Sequence, residues 1–196
     1  MTVLKDEDVV RLVLDGHSEA YSILIDEYKN MIYDLCYKYT HDYVESQDLS
    51  QEIFLKVYRK LHTFKNTSKF STWLYRIGIN TCIDWTRKHK KTRYEKSIEE
   101  DEYIGRIPSN KPSPEDMAIK NEKIEIVRNA VDNLPEIYRT VIILYNYKDL
   151  SCREIADILE IPVKTAETRL YRAKKMLKEK LLKPSNGGEY LWNVVK

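Results

Sequence analysis

Apolar residues recur at three- and four-residue spacing along most of this chain, and the places where the spacing breaks mark out its elements. Asp6 to Leu14 aligns Val9, Val10, Val13 and Leu14 on one stripe. Asp6, Glu7 and Asp8 stand in its first turn, where acids suit the helix dipole, and Gly16 stops it. A second helix is expected from Ser18, with Ala20, Ile23, Leu24, Tyr28, Ile32, Leu35 and Tyr39 facing a core and His41 and Asp42 marking its end. The third, near Val44 to Leu61, buries Leu49, Ile53, Val57 and Leu61. Beside that stripe Asp48, Gln51, Glu52 and Leu55 fall at i, i+3, i+4 and i+7, a mostly polar row with one apolar member. A fourth helix follows the polar loop Lys65 to Lys69 and repeats Leu74, Ile77, Thr81 and Trp85, which places Trp85 in the core.

From Tyr94 to about Lys120 the period dissolves into acids and Pro108, Pro112 and Pro114. Roughly 25 residues without period exceed an ordinary internal loop, so a linker is expected over 94–120 between domains at 1–93 and 121–183. Helical spacing returns in Ile124, Val127, Val131 and Leu134. Pro135 opens the next helix, which carries Ile137, Val141, Ile142 and Tyr145 inward. Ser151 and Glu154 form a capping box on a short helix with Ile155, Ala156 and Leu159. After the turn Glu160 to Pro162, a helix from Lys164 to about Leu182 buries Ala166, Leu170, Ala173 and Leu177. A short capped helix, a tight turn and a longer basic helix describe a helix-turn-helix, whose second member enters the DNA major groove. The tail, 184–196, passes through Gly187 and Gly188 into Tyr190, Leu191, Trp192, Val194 and Val195.

Composition sharpens this all-helical reading. Five glycines and six prolines in 196 residues leave little material for a turn-rich β fold. The formal net charge of +2 conceals an uneven distribution: residues 1–60 hold twelve acids against seven bases, 65–96 nine bases against two acids, and 164–183 eight against two. Two basic blocks separated by acidic ground are the footprint of a protein that meets nucleic acid in two places and another partner through its N-terminal half. Cys36, Cys82 and Cys152 are far apart and odd in number, and they form no CxxC or His-rich cluster. Neither a disulfide framework nor a metal site is expected, and no cofactor. His17, His41, His62 and His89 are scattered, so no catalytic constellation is expected either. With no charged-then-apolar leader and no run of eighteen apolar residues, the chain is expected in the cytoplasm rather than in a membrane.

The first basic block interleaves charge with rings. Phe64, Phe70, Trp73, Tyr75 and Trp85 offer π-faces among Lys65, Lys69, Arg76, Arg87 and Lys88, and stacking one base on a ring contributes about 1 to 3 kcal/mol. Asn66, Ser68 and their neighbours supply small hydrogen-bonding groups able to read a base that has left the stack. Trp73 stays open between core residue and base platform. The row Asp48–Leu55 likewise stays open between a solvated face and a dock for a basic partner helix. In the last helix Lys164, Thr165, Glu167, Thr168, Tyr171, Arg172 and Lys175 face outward. Lys164 can serve a guanine and Glu167 a cytosine amino group, Arg172, Lys174 and Lys175 hold phosphates, and Arg169 can do either.

Three blocks, DLSQEIFLKVY at 48–58, FSTWLYRIGIN at 70–80 and LSCREIADILEIPVKTAETRLYRAKKML at 150–177, carry a resemblance to the extracytoplasmic-function (ECF) sigma factors of bacterial RNA polymerase. The resemblance spans Ala20 to Leu182. It implies two small helical domains, a region 2 bundle and a region 4 helix-turn-helix, on a flexible linker. It implies that Asp48, Gln51, Glu52 and Leu55 bind the β′ clamp helices of the polymerase core, with the β flap a further contact. Minus-ten DNA would be recognised and melted by Phe64, Asn66, Ser68, Lys69, Phe70, Trp73, Arg76, Asn80, Arg87 and Lys88. Minus-thirty-five DNA would be read by Lys164, Thr165, Glu167, Thr168, Arg169, Tyr171, Arg172 and Lys175. An anti-sigma partner is also implied. Glu167 departs from the base or small polar residue of many relatives, and the tail has no counterpart in the pattern. A free-standing helix-turn-helix regulator acting on duplex DNA is the alternative.

Overall fold

The computed structural model describes residues 4–96, 114–146 and 150–182, with side chains outside 90–121. Among these residues every regular element is helical. Cα packing divides the chain into two compact units, Met1–Tyr94 with Ala156–Glu160, and Glu95–Ile155 with Ile161–Lys196.

In the first unit, helix α1 (Asp6–Leu14) carries its three acids in the first turn and buries Val9, Val10 and Val13. Leu14, expected on that stripe, is exposed, because it sits at the helix end beside Gly16, whose φ of 105° turns the chain away. The second helix starts through a 3-10 turn, Ser18–Ala20, and continues as α2 (Tyr21–Thr40). Ile23 corrects its expected core list: it is exposed, while Leu24, Ile32, Leu35 and Tyr39 are buried. His41 terminates α2 in the left-handed region at φ 57°, and the Asp42 carboxylate accepts the Glu45 N–H at 2.9 Å to cap α3 (Tyr43–Lys60). That cap satisfies one of the donors a helix start leaves unpaired.

Helix α3 turns Leu49, Ile53, Phe54 and Val57 onto α2, and Leu61, in the 3-10 turn Leu61–Thr63, extends the same buried face. Helix α4 (Phe70–Lys96) closes the bundle with Phe70, Leu74, Ile79 and Cys82 buried. At Gly78 an added Cβ would lie 3.0 Å from Leu35 Cδ2 and 3.5 Å from Ile32 Cδ1, so the missing methyl allows α4 to approach α2 this closely. Trp85 is half-buried, at the margin of the core expected for it.

In the second unit α5 (Pro114–Asp132) begins six residues before the expected linker ends. Proline suits a first turn, where its missing N–H has no helical partner to lose, so Pro114, expected within the linker, opens this helix instead. Helix α4 likewise continues to Lys96, three residues into the expected linker, whose positions 97–113 lie outside the described residues, as does the tail. Helix α6 (Glu136–Asn146) buries Val141, Ile142, Ile143 and Leu144 in succession, as a helix does when neighbours cover most of its circumference. Ile124 and Ile137, both expected inward, are exposed. Arg139, which periodicity did not select, is buried with its guanidinium 3.9 Å from the Asp132 carboxylate.

The capping box forms at the start of α7 (Cys152–Leu159). Ser151 Oγ accepts the Glu154 N–H at 3.3 Å, and Glu154 Oε2 accepts the Ser151 N–H at 2.9 Å. Replacing Ser151 by Ala should lower thermal stability of the intact protein by about 1 kcal/mol, the usual cost of losing such a cap, while Ser151→Asp should retain it; a thermal melt checks both. Glu160 at φ 52° makes the turn, and Pro162 precedes α8 (Val163–Leu181), whose Ala166, Leu170, Ala173, Leu177 and Leu181 are buried. Cys36 and Cys82 are buried and Cys152 is half-buried, and none of the three is in a disulfide.

Candidate nucleic-acid and partner interfaces

Three surfaces carry the candidate residues. On α3, Asp48, Gln51, Glu52 and Leu55 are all exposed, with Leu55 at 59 %. Val44 and Tyr58, exposed at 68 % and 44 %, extend the row beyond what the sequence reading selected. Positions 44, 48, 51, 55 and 58 alternate four- and three-residue steps, the spacing with which one helix packs along another. Continuing the i, i+3, i+4 pattern in both directions would have found the two flanking residues. Glu52 pairs with Lys56 at 2.6 Å, and Lys56 also reaches Thr81 Oγ1 at 3.5 Å, so this carboxylate is held in place from its own helix.

The second surface is the loop between the 3-10 turn and α4, together with the start of α4. Phe64, Phe70 and Trp73 form a mutual cluster with ring centroids 5.4 to 5.6 Å apart. Phe64 is 8 % exposed and Phe70 1 %, which corrects the expectation that each presents a π-face to a base; Tyr75, at 5 %, is corrected likewise. Phe70 is drawn inward against the Tyr28 ring of α2, with centroids 5.6 Å apart, and Phe64 packs edge-on against Phe70. Trp73 is half-buried and sits at the outer edge of the cluster. Above it Lys65, Asn66, Thr67 and Lys69 are exposed, Ser68 is half-buried, and Asn66 holds φ 55°. Asparagine tolerates that left-handed conformation better than most residues.

Along α4, Trp73, Arg76, Asn80 and Arg87 follow one another at i, i+3, i+7 and i+14 on one face spanning about 21 Å at 1.5 Å per residue. Asn80, Arg87 and Lys88 are exposed and Arg76 is half-buried. Arg87 lies 3.7 Å from Asp84, the one acid in that part of the basic block, and Trp85 stacks on the His89 ring at 4.5 Å. In the same unit Tyr21 donates to the Phe54 carbonyl at 2.7 Å and Tyr28 to Asp6 Oδ2 at 2.6 Å. Burial pushes both phenols well above their ordinary value near 10, and for Tyr28 the Asp6 carboxylate adds to the effect.

The third surface is α8. Lys164, Glu167, Thr168, Tyr171, Arg172 and Lys175 are exposed, with Tyr171 at 70 %, and Thr165 and Arg169 are half-buried. Lys164 and Glu167 stand 3.5 Å apart on the outer face, and the Thr168 hydroxyl donates to the Lys164 carbonyl at 2.7 Å. Beside them Ile137 and Tyr138 of α6 join Lys164, Thr165, Thr168, Arg169 and Arg172 around a groove of about 250 Å³. Ile137 and Tyr138 were not selected from the sequence, which assigned the first of them to the core. Lys174, expected on phosphates, instead lies over the Tyr145 ring at 4.2 Å.

The sigma-70 region 2 family matches residues 24–92, which hold the first two surfaces, and the sigma-70 region 4 family matches residues 124–177, which hold the third. The ECF RNA polymerase sigma factor SigW of Bacillus subtilis is 36 % identical over 176 residues, covering 88 % of this chain and 94 % of the relative. The chain belongs to the ECF sigma factors. The ECF sigma-E factor of Escherichia coli K12 is 31 % identical over 182 residues, covering 91 % of this chain and 95 % of its own length. RNA polymerase sigma-H factor of Pseudomonas aeruginosa is 33 % identical over 188 residues, covering 94 % and 97 %. Among solved structures, CnrH in complex with the cytosolic domain of CnrY covers 90 % of this sigma factor at 22 % identity with a TM-score of 0.64, a likeness of fold. The sigma factor RpoE in complex with the anti-sigma factor NepR from Bartonella quintana covers 82 % at a TM-score of 0.58. Among the described residues of this sigma factor no helix is long and apolar enough to cross a membrane, and no group of three His, Cys, Asp or Glu could hold a metal ion.

Proposed function

We propose that this ECF sigma factor recruits the RNA polymerase core through α3, opens minus-ten DNA with the Phe64–Lys69 loop and the start of α4, and reads minus-thirty-five DNA with α8. The exposed heptad-like row of Val44, Asp48, Gln51, Leu55 and Tyr58, with Glu52 beside it, is the observation that carries the polymerase assignment. It combines apolar contacts with acids along one helix face, the surface a basic partner helix of the β′ clamp requires. The domain division that suits these roles is region 2 in residues 1–93 and region 4 in 121–183.

At the loop, charge on Lys65 and Lys69 neutralises phosphates while Asn66 and Ser68 supply groups for an unstacked base. Trp73 is the ring with a face left to offer, and Phe64 and Phe70 support it from below. No covalent step is involved: the energy for strand separation comes from captured bases. On α8 the half-buried Arg169 and the exposed Lys164, Thr168 and Arg172 line one groove wall, so base reading and phosphate contact share a short arc of helix. The sigma factor acts in the cytoplasm, where core polymerase is found. The likeness to the sigma factor RpoE, solved in complex with the anti-sigma factor NepR, supports an anti-sigma factor as a further partner.

Run-off transcription with purified core polymerase over a pool of promoters tests this reading. Promoter-dependent transcripts support it, whereas a free-standing duplex-binding regulator yields no new initiation. Alanine at Lys164, Thr168 and Arg172 together should reduce promoter selection by about a hundredfold, given about 1 to 3 kcal/mol for a base contact and less for a phosphate contact. Unchanged promoter choice would remove α8 from the DNA interface.

A further inference from the structure

Helix α1 precedes the segment matched by the region 2 family, yet it is wired to the loop that meets DNA. The contact runs through one side chain. The Tyr28 hydroxyl donates to Asp6 Oδ2 of α1 at 2.6 Å, while the Tyr28 ring lies against Phe70 with centroids 5.6 Å apart. Phe70 in turn packs edge-on against Phe64 at 5.4 Å and tilts against Trp73 at 5.6 Å. These two phenylalanines bracket the loop: Phe64 precedes Lys65 and Phe70 follows Lys69. Helix α1 also packs on the 3-10 turn Leu61–Thr63, the segment leading into Phe64.

Both ends of the loop are therefore fixed against parts that touch α1, and Asn66, left-handed at φ 55°, lies between them. Left-handed backbone at a non-glycine residue is one sparsely populated choice among several, so a single loop shape there depends on what holds the loop's ends. A loop ordered before the nucleotide arrives avoids the entropy cost of ordering during capture. Burial and the Asp6 carboxylate push the Tyr28 phenol well above its ordinary value, so at neutral pH it carries the proton this bond requires.

We propose that Tyr28 and Asp6 are positioning residues for nucleotide capture: their hydrogen bond fixes α1 against the Phe64–Phe70–Trp73 cluster and thereby holds the Lys65–Lys69 loop in its receptive shape. The inference rests on the reading of that loop as the nucleotide-capturing element. Neither residue contacts DNA. Each acts through the ring cluster, and the role is separate from the polymerase-binding face of α3.

The test uses the full-length protein assembled with core polymerase and a fluorescent single-stranded oligonucleotide copying the minus-ten region of a promoter obtained by run-off selection. Tyr28→Phe keeps the ring and removes the donor; Asp6→Ala removes the acceptor; Asp6→Asn keeps an acceptor. Tyr28→Phe and Asp6→Ala should each weaken oligonucleotide binding about tenfold, the loss expected from one charge-assisted hydrogen bond. The double variant should be no weaker than either single one, because both remove the same bond. Asp6→Asn should bind within about twofold of the parent, and all variants should bind core with unchanged affinity. Unchanged oligonucleotide binding by Tyr28→Phe would overturn the inference. So would a parallel loss of core and oligonucleotide binding, since that is general unfolding, or additive losses in the double variant. Ser68→Ala with Lys69→Ala in the same assay separates the two levels: if it has no effect, the loop reading itself fails; if it weakens binding and Tyr28→Phe does not, only the positioning role fails.

Discussion

Exchanging Asp48 and Glu52 for Lys is expected to abolish association with core polymerase while leaving the sigma factor folded. Both side chains are exposed on α3, so neither substitution removes buried area or a core contact. Within the helix the cost is small: Glu52→Lys replaces a 2.6 Å pair with Lys56 by a like-charged neighbour, worth a few tenths of a kcal/mol at about 0.2 to 0.5 per pair. At an interface with a basic partner the same reversal removes two attractions and installs two repulsions, each about 2 to 5 kcal/mol once desolvated. The expected result is a loss of at least about a thousandfold in core affinity, read by a fluorescence titration against purified core, with an unchanged thermal melt. Equal affinity for core would take the acidic row out of the interface.

The second large effect is at the loop. Alanine at Asn66, Ser68 and Lys69 should lower the fraction of open promoter complex about tenfold or more while closed-complex formation stays within about twofold, measured by permanganate reactivity of unpaired thymines against a gel-shift of the duplex complex. The asymmetry follows from where the energy is used. Separating one duplex step costs about 1.4 kcal/mol, and a captured base returns about 1 to 3 kcal/mol only after it has left the stack. Asn66→Ala adds strain of its own, because alanine at φ 55° is disfavoured by about 1 kcal/mol. The pair Ser68→Ala and Lys69→Ala is free of that effect and should show the same asymmetry at smaller amplitude. Equal loss of both complexes would assign the loop to duplex binding.

Much of this architecture is legible in the chain because helices announce themselves by period and by their ends. The α1 boundaries, the Ser151–Glu154 box, the buried row Ala166 to Leu177 and the exposed row Asp48 to Leu55 all follow from spacing and cap chemistry. Period alone does not say how wide a buried stripe is. Ile23, Ile124 and Ile137 are in phase with core residues yet lie at the stripe's margin, where they stay 44 to 46 % exposed. The ring cluster failed to show for a different reason. An aromatic residue next to lysines suits both a base platform and a core anchor, and only packing against Tyr28 and Trp73 distinguishes them for Phe64 and Phe70. The Asp6–Tyr28 bond joins positions 22 residues apart across two helices, which no local pattern encodes.

The seating of α4 against α2 at Gly78 has a mechanical implication for strand opening. With Leu35 Cδ2 only 3.0 Å and Ile32 Cδ1 3.5 Å from where a side chain would begin, the α4 backbone rests directly on two buried α2 side chains, eight residues along from Phe70. On the proposed reading of α4, a load applied by DNA to its front passes through this close-packed contact into side chains that are themselves fully buried in the bundle. If that face melts DNA as proposed, it acts as a fixed anvil, and it is the nucleic acid that deforms.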